Sequence, residues 1–296
     1  MKLEISIDKL KEAVGKAEKI TGKNSTLESL KSILLVASGN SLKIRSTNLS
    51  LGLEIEIPAK VLTEGEVLVS GEVLNNTLQN LNVQDKVITV EKSNENLFLN
   101  NKRTKVVIKS LHPEDFPTIP SVEGDSFEIE TQKFMEGVRS VFYSAAISDI
   151  KPEIASVYIY SDQDELVFVA TDSFRLGEKR LKIKNLKDLE GIIIPYKNIL
   201  EIIKLLSDIK GEMRVFYNKN QISFVLGGLY LTSRLINGAF PDYRQILPKG
   251  YKTKAIIIKK DLLEAIRLSN VFSDKFNQIK ISIDPKVKKF EVEAIN

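Results

Sequence analysis

Few side chains in this chain belong to the types that carry acid–base or covalent chemistry. The sequence contains one histidine, His112, and no cysteine. His112 precedes Pro113 in a loop-like segment, and neither a metal site nor a serine triad can be assembled around it, so we interpret it as a surface histidine. The lack of cysteine excludes disulfides, thiolate nucleophiles and cysteine metal sites, and it is typical of a reducing compartment.

A catalytic carboxylate could be sought at Asp172, in the segment ATDSFRLG (170–177). An earlier segment carries Asn48 at the matching point, and because Asn and Asp both favour turns, a turn between two strands is the favoured interpretation. Gly227 and Gly228 lack the strand, helix and downstream glycine of a dinucleotide motif. We therefore predict no catalytic residue, no metal and no cofactor, and an enzyme acting through Asp172 or glutamates is the least favoured interpretation.

The overall composition describes an ordinary globular chain with a mild positive charge. Its 296 residues are 43% hydrophobic and 28% charged, with a net charge of +4. This charge permits contact with nucleic acid without establishing it. The N-terminal segment alternates charged and apolar residues, unlike a signal peptide, and no window reaches the ~18 apolar residues of a membrane span. We expect a cytoplasmic protein of two or three domains with no membrane contact.

An internal repeat organises the elements that must position these residues. Three segments, beginning at Leu3, Phe127 and Ala255, each show a short apolar strand followed by an amphipathic helix. The first two copies are offset by 124 residues, and the same offset recurs downstream at three further pairs: Thr47 with Thr171, Val69 with Ile193, and Phe116-Pro117 with Phe240-Pro241. Such spacing indicates tandem copies of one domain.

The repeat predicts domains at residues 1–122, 126–249 and 253–296, with junctions rich in proline, glycine and polar residues. From Ala255 the third copy has 42 residues, whereas the earlier copies have about 125. We therefore expect an incomplete third domain, whose helix leaves three apolar residues poorly covered: Leu262, Leu263 and Ile266.

Apolar periodicity predicts helix, strands, helix and strands within a copy. Residues 8–20 place Leu10 and Val14 on one helical face, and residues 49–57 alternate as a half-buried strand. A second helix carries Leu74, Leu78 and Leu81 in the first copy and Ile199, Ile202, Ile203 and Leu206 in the second, and Gly227-Gly228 supplies a hairpin turn. The predicted fold class is α+β, with two helices packed on mainly antiparallel sheet in each domain.

Three like domains, with ATDSFRLG (170–177) and NGAFPDYRQILP (237–248) in the second, resemble the bacterial DNA sliding clamp family, the beta subunit of DNA polymerase III. The resemblance covers essentially the whole chain. It implies tandem DNA-clamp domains in a head-to-tail dimer, which forms a ring around duplex DNA with helices lining the hole and sheets outside. Such a ring tethers a polymerase to its template and hydrolyses nothing.

The resemblance further implies several partners besides double-stranded DNA: the alpha subunit of DNA polymerase III, the clamp loader, and other clamp-binding replication and repair proteins. These proteins dock short peptides in a pocket where the second and third domains meet. The family's motif positions assign nine residues to that pocket: Ile154, Thr171, Ser173, Phe174, Arg175, Leu176, Pro241, Gln245 and Ile246. Phe174 stands where the family frequently has histidine, which makes the pocket more apolar. Because Phe-Pro occurs in both copies, we interpret Phe240 as structural.

The resemblance also places five residues near DNA: Lys23, Asn24, Ser148, Lys151 and Lys197. Three lysines of the first helix, Lys9, Lys16 and Lys19, would add to a field that attracts phosphates without reading sequence. For any single lysine, the alternative interpretation is a solvated face. Asn24 stands where the family often has arginine, and Glu72 begins the second helix, so we expect a weaker grip by the first domain.

A multidomain peptide-binding scaffold that does not touch DNA is the alternative function. An experiment on circular DNA separates the two functions. A ring is held on closed circular DNA by topology and is released when the circle is cut, whereas a scaffold that does not bind DNA shows no such change. With an incomplete third domain, the 296-residue chain alone is expected to be monomeric or to aggregate rather than to form a normal ring.

Overall fold

The computed structural model describes residues 1–22, 25–81, 86–148, 150–183, 189–275 and 277–294. Within these ranges the chain forms five α-helices: α1 (Ile7–Ile20), α2 (Gly71–Asn80), α3 (Thr131–Val141), α4 (Tyr196–Leu206) and α5 (Lys259–Val271). Leu10 and Val14 are buried on the predicted apolar face of α1. Helix α2 begins after Ser70, whose hydroxyl accepts a hydrogen bond from the backbone N–H of Val73, which satisfies one of the free donors at the helix start.

The described strands are mostly short and antiparallel, as expected for the predicted α+β class. Their bounds are β1 (Lys2–Ser6), β2 (Ser32–Ser38), β3 (Ser41–Thr47), β4 (Leu51–Pro58), β5 (Lys60–Thr63), β6 (Gly65–Ser70), β7 (Val87–Ser93), β8 (Asn96–Asn100), β9 (Lys105–Leu111), β10 (Asp125–Glu130), β11 (Ser156–Asp162), β12 (Glu165–Thr171), β13 (Leu176–Lys182), β14 (Ile192–Pro195), β15 (Glu212–Tyr217), β16 (Gln221–Leu226), β17 (Leu229–Arg234), β18 (Ile279–Asp284) and β19 (Lys289–Ala294).

Strands of the first two repeats join in one sheet of thirteen strands, in the order β10-β15-β16-β17-β4-β3-β2-β6-β9-β8-β7-β1-β5. The two repeats meet where β17 pairs antiparallel with β4, with Leu231 opposite Leu53. Backbone hydrogen bonds extend this pairing at both ends, from Glu56 N–H to the carbonyl of Gly228 (2.8 Å) and from Arg234 N–H to the carbonyl of Ser50 (2.9 Å). We call this pairing the repeat joint.

A second sheet of four strands, in the order β13-β12-β11-β14, completes the second repeat. Helix α3 packs on β12 and β13, where Phe134 contacts Phe168 edge to face at 5.6 Å between ring centroids. The predicted glycine turn is confirmed, because Gly227 and Gly228 both have positive φ and connect β16 to β17. Helix α1 of the first repeat also contacts α4 of the second.

Contacts between residues divide the molecule into two compact units, Met1–Pro241 and Asp242–Asn296. In the second unit, α5 packs on a two-stranded sheet formed by β18 and β19. No residue of α5 is buried, and Val271 remains 75% exposed. Of the three apolar residues expected to be poorly covered, Leu263 is 42% exposed, whereas Leu262 and Ile266 are half-buried, so the expectation is confirmed for Leu263.

Three boundaries differ from the sequence predictions. Strand β4 begins at Leu51 rather than at residue 49, because Leu49 has φ +71° and belongs to a turn. Helix α2 ends at Asn80, so Leu81 packs just beyond the helix rather than within it. The strand expected from Ala255 is not formed, and residues 255–258 are irregular and exposed. In the described part of the second unit, only the β18–β19 hairpin supplies strands, so this segment has no sheet to extend.

Candidate functional site

The turn between β12 and β13 carries most of the residues assigned to the pocket. Thr171 is buried, and its hydroxyl donates a hydrogen bond to the carbonyl of Arg175 (2.7 Å). The same hydroxyl oxygen accepts from the backbone N–H of Ser173 (3.2 Å). Ser173 has φ +77°, a conformation that is uncommon for residues other than glycine. The turn is therefore held by its own side chains, so its outward-facing residues are available for contact.

Asp172 is a structural carboxylate in this turn. Its Oδ1 accepts hydrogen bonds from the backbone N–H groups of Phe174 (3.0 Å) and Arg175 (2.9 Å), and its Oδ2 accepts from Nε of Arg175 (3.0 Å). Partial burial raises the pKa of Asp172, but the two backbone hydrogen bonds and the Arg175 guanidinium together hold that pKa below its usual value. The interpretation of Asp172 as a turn residue is confirmed.

The first repeat contains the same turn. The Thr47 hydroxyl donates to the carbonyl of Leu51 (2.7 Å) and accepts from the N–H of Leu49 (3.0 Å). Asn48 Oδ1 accepts from the N–H groups of Ser50 (3.0 Å) and Leu51 (2.8 Å). Each contact has its counterpart 124 residues later, so the turn belongs to the repeated domain, whereas the side chains on it distinguish the two copies.

Apolar and basic side chains project from the second copy of the turn. Phe174 is 98% exposed, Arg175 is exposed, and Leu176 at the start of β13 is half-buried. Ile154 is also half-buried, on the loop before β11, where its carbonyl accepts from the N–H of Ala146 (3.0 Å). The exposed ring of Phe174 lies two residues before Leu176, so the turn carries two apolar side chains that a partner could contact.

The segment that contains the second Phe-Pro pair anchors the end of the repeat. Phe240 stacks on Tyr158 with 4.8 Å between ring centroids and 8° between planes, and Tyr158 stacks in turn on Tyr160. This packing agrees with a structural role for Phe240. Pro241 follows and is exposed.

Two residues assigned to the pocket lie in the second unit. Gln245 Nε2 donates to Oδ2 of Asp242 (2.8 Å), which supports the short helical turn Tyr243–Ile246. Ile246 is 72% exposed, whereas Tyr243 is buried. The assignment of Gln245 and Ile246 to the pocket stays a prediction.

The lysines singled out from the sequence occupy exposed positions on and near the helices. Lys197 lies in the first turn of α4, and Ser148 and Lys151 lie in the exposed loop after α3. Lys9 and Lys19 are exposed on α1, and Lys16 pairs with Glu12 at 2.6 Å. Two further assigned residues, Lys23 and Asn24, lie outside the described residues.

The structure brings Lys19 and Lys197, from different repeats, to one cleft of about 650 Å³. Asn198 fixes the start of α4 there, because its side-chain amide donates to Ser233 Oγ (2.9 Å) and to the Ser50 carbonyl (3.4 Å). A third lysine of the cleft, Lys204, pairs with Glu201 at 2.8 Å. Lys204 was not predicted from the sequence, although its spacing of seven residues from Lys197 places both lysines on one helical face.

The described residues form neither a metal-binding cluster nor a membrane-spanning helix. His112 is exposed, and no cluster of three or more His, Asp or Glu side chains in the described ranges is placed to hold a metal ion. None of the helices described is both long enough and apolar enough to cross a membrane.

Comparison with known proteins identifies the repeated domain. Residues 1–120 match the family described as DNA polymerase III beta subunit, N-terminal domain, and residues 128–242 match the family described as DNA polymerase III beta subunit, central domain. Among curated relatives, the beta sliding clamp of Rickettsia bellii is 26% identical over all of this chain and 79% of the relative. The beta sliding clamp of Pseudomonas aeruginosa is 26% identical over 92% of this chain and 75% of the relative.

Solved structures share the fold. The DNA polymerase sliding clamp from Bacillus subtilis superimposes with a TM-score of 0.90 at 22% identity, covering 100% of this chain and 83% of that chain. A sliding clamp from Pseudomonas aeruginosa bound to griselimycin superimposes with a TM-score of 0.91 at 24% identity, covering 99% of this chain and 83% of that chain.

Proposed function

The chain belongs to the DNA polymerase III beta subunit family, and from this premise we propose that it is a DNA sliding clamp that encircles duplex DNA and tethers a replicative polymerase. Relatives along the whole chain are named beta sliding clamps. The alternative of a scaffold that does not bind DNA is not favoured by these relatives.

The repeat joint is the observation that carries this proposal. Pairing of β17 with β4 continues one sheet from the first repeat into the second. The contact joins different edges of a repeated domain, so it is heterologous, and repetition of such a contact generates either a ring or an open helix. A closed ring holds DNA by topology and needs no sequence-specific contact, which agrees with a net charge of only +4.

The proposed ring is a head-to-tail homodimer of three-domain subunits. The domain division at residues 1–122, 126–249 and 253–296 remains part of the proposal, and the family matches at 1–120 and 128–242 support its first two members.

DNA is proposed to contact the helical side of the molecule. The cleft that contains Lys19, Lys197 and Lys204 supports this placement, because it gathers cations from both repeats. Diffuse attraction of this kind permits sliding, since each lysine can exchange one phosphate for the next. Lys23, Asn24, Ser148 and Lys151 complete the proposed DNA-facing set.

Partner proteins are proposed to dock a short peptide on the turn Thr171–Leu176, together with Ile154, Pro241, Gln245 and Ile246. The exposed ring of Phe174 and the half-buried Leu176 support an apolar anchor site beside a polar rim. The proposed partners are the DNA polymerase III alpha subunit, the clamp loader and other clamp-binding replication and repair proteins. We propose that the protein works in the cytoplasm and is itself not a catalyst.

Primer extension tests the proposal. On a long primed template, addition of the protein and its clamp loader should lengthen the products made by the polymerase in a single binding event. Unchanged product lengths at saturating protein would contradict it. Protein with Leu176→Asp is the matched variant, because it lacks the proposed docking site for both the clamp loader and the polymerase and should leave the product lengths short.

A further inference from the structure

The segment that links the first two repeats runs over the repeat joint. Its Ile119 lies on Gly52 of β4, the residue that faces Thr232 of β17 across the repeat joint. A methyl group added at Gly52 would lie 2.8 Å from Cγ2 of Ile119 and 3.0 Å from Cγ2 of Thr232. These distances are shorter than van der Waals contact, so Ile119 can pack here only because residue 52 has no side chain. We call the space that Ile119 occupies over Gly52 the seat of Ile119.

The linking segment is held in place by hydrogen bonds to residues that follow Ile119 in the chain. The hydroxyl of Tyr230 donates to the carbonyl of Pro120 (2.8 Å) and accepts from the backbone N–H of Val122 (2.9 Å). Val122 is itself buried. The backbone around Ile119 is therefore tied to β17, which belongs to the second repeat.

Little space is left beside this segment. The remaining cleft is about 70 Å³. It is lined by the first copy of the turn, by the linking segment and by the second repeat: Thr47, Leu49, Ser50, Leu51, Gly52, Thr118, Pro120, Gln221, Thr232 and Arg234.

The two copies of the turn differ at the residue on which Ile119 sits. In the first repeat Thr47 is opposite Gly52 across the hairpin, and in the second Thr171 is opposite Leu176. Gly52 and Leu176 are thus equivalent positions. A leucine at this position excludes the close approach that Ile119 makes to Gly52, and it offers an apolar surface instead.

We propose that the first copy of the turn is a closed counterpart of the partner pocket, with Ile119 as an intramolecular ligand that occupies it. This inference rests on the proposed pocket at Thr171–Leu176. The chain consequently binds an apolar peptide at only one of two equivalent turns. Vacating the seat of Ile119 creates a second site, which takes one apolar side chain of a peptide.

Isothermal titration tests this inference with a hexapeptide that carries one leucine and one phenylalanine anchor. The wild-type protein should bind one peptide per subunit. Ile119→Gly should bind two, the second about tenfold more weakly because one anchor is buried instead of two. Ile119→Val is the matched control and should still bind one, because it retains the branched side chain over Gly52.

A second variant reaches the same site from the other side. Gly52→Ala leaves the bonds of Tyr230 untouched but fills the space that Ile119 occupies, so it should displace Ile119 without opening a second site and should still bind one peptide. In the Leu176→Asp background, where the partner pocket is removed, Ile119→Gly should restore weak binding of one peptide. One site per subunit in folded Ile119→Gly, with no restored binding in the Leu176→Asp background, overturns the inference. Absence of binding by the wild-type protein instead overturns the proposed partner pocket.

Discussion

Leu49 and Ser173 occupy the same position in two copies of one tight turn, and both have positive φ, +71° and +77°. The hydrogen bonds around them match one for one. The backbone of the proposed partner site is therefore inherited from the repeated domain, and we expect its specificity to reside in the side chains of Phe174, Arg175 and Leu176.

The conformation of Leu49 predicts a stabilising substitution. A left-handed conformation costs a non-glycine residue about 1–2 kcal/mol, and asparagine tolerates it better. Leu49 is 49% exposed, so Leu49→Asn loses little packing. We expect the free energy of unfolding in urea to rise by about 0.5–1 kcal/mol. A fall after Leu49→Asn would contradict the assignment of strain to this residue. Leu51→Asn, at a buried neighbour, is the control and should destabilise strongly.

Asp172 should make the free energy of unfolding depend on pH, which its counterpart in the first repeat, Asn48, cannot do because it does not titrate. Because the pKa of Asp172 is lowered in the folded protein, its charge stabilises the fold above its usual pKa of about 4. That stabilisation is lost as the pH falls through the lower, folded value. Asp172→Asn keeps an amide oxygen for the backbone bonds, as Asn48 does.

The measurement for Asp172 is urea unfolding of wild type and Asp172→Asn between pH 7 and pH 2. At pH 7 the variant should be less stable by about 0.5–1.5 kcal/mol, and the difference should shrink towards acid pH. A difference that stays constant with pH would show that the carboxylate charge does not contribute. Asp172→Ala should be less stable than Asp172→Asn at every pH, because it removes the acceptor.

Sequence periodicity could place most helices and strands because it reflects local burial. Residues 8–20 were predicted as helix, and α1 spans Ile7–Ile20. The start of β4 could not be placed, since Leu49 continues the apolar alternation while its backbone turns. The segment from Ala255 has the pattern of a strand, but strand formation depends on a neighbouring strand that the pattern does not encode.

For the candidate site too, local sequence patterns predict contacts between neighbouring residues but not contacts between distant ones. Residues adjacent in sequence, such as Thr171 and Ser173, lie together in the structure as they must. The approach of Lys19 to Lys197 depends on the pairing of β17 with β4, and no local pattern reports that pairing. The seat of Ile119 on Gly52 also joins distant residues, and only a glycine in an otherwise regular strand hinted at it.

Proposed contacts between lysines and phosphates predict a graded dependence on salt. Each phosphate contact contributes about 0.9 to the slope of log affinity against log salt concentration. Lys23→Ala, Lys151→Ala and Lys197→Ala should each flatten that slope by about this amount without changing base preference. Lys60→Ala, whose lysine pairs with Glu4 at 3.0 Å, is the control and should leave the slope unchanged. An altered base preference in any of the three would argue against sliding.

Because Phe174 is exposed, its substitution should affect peptide binding without affecting the stability of the fold. Phe174→Ala removes a side chain that is 98% exposed, so the free energy of unfolding should change by less than about 0.5 kcal/mol. Peptide affinity should fall by about tenfold or more, because the ring becomes buried only in the complex. Fluorescence anisotropy with a labelled hexapeptide measures this loss. Unchanged affinity would remove Phe174 from the pocket, whereas Ile147→Ala, at another exposed apolar residue, should have no effect.

Retention on circular DNA tests the central claim most directly. The protein is loaded by its clamp loader onto a nicked circular plasmid, and the complex is isolated by gel filtration. A ring should remain with the circle and should leave when a restriction enzyme cuts it, because free ends allow it to slide off. Equal retention on cut and uncut DNA, or no retention on the circle, would contradict the account of this protein as a sliding clamp.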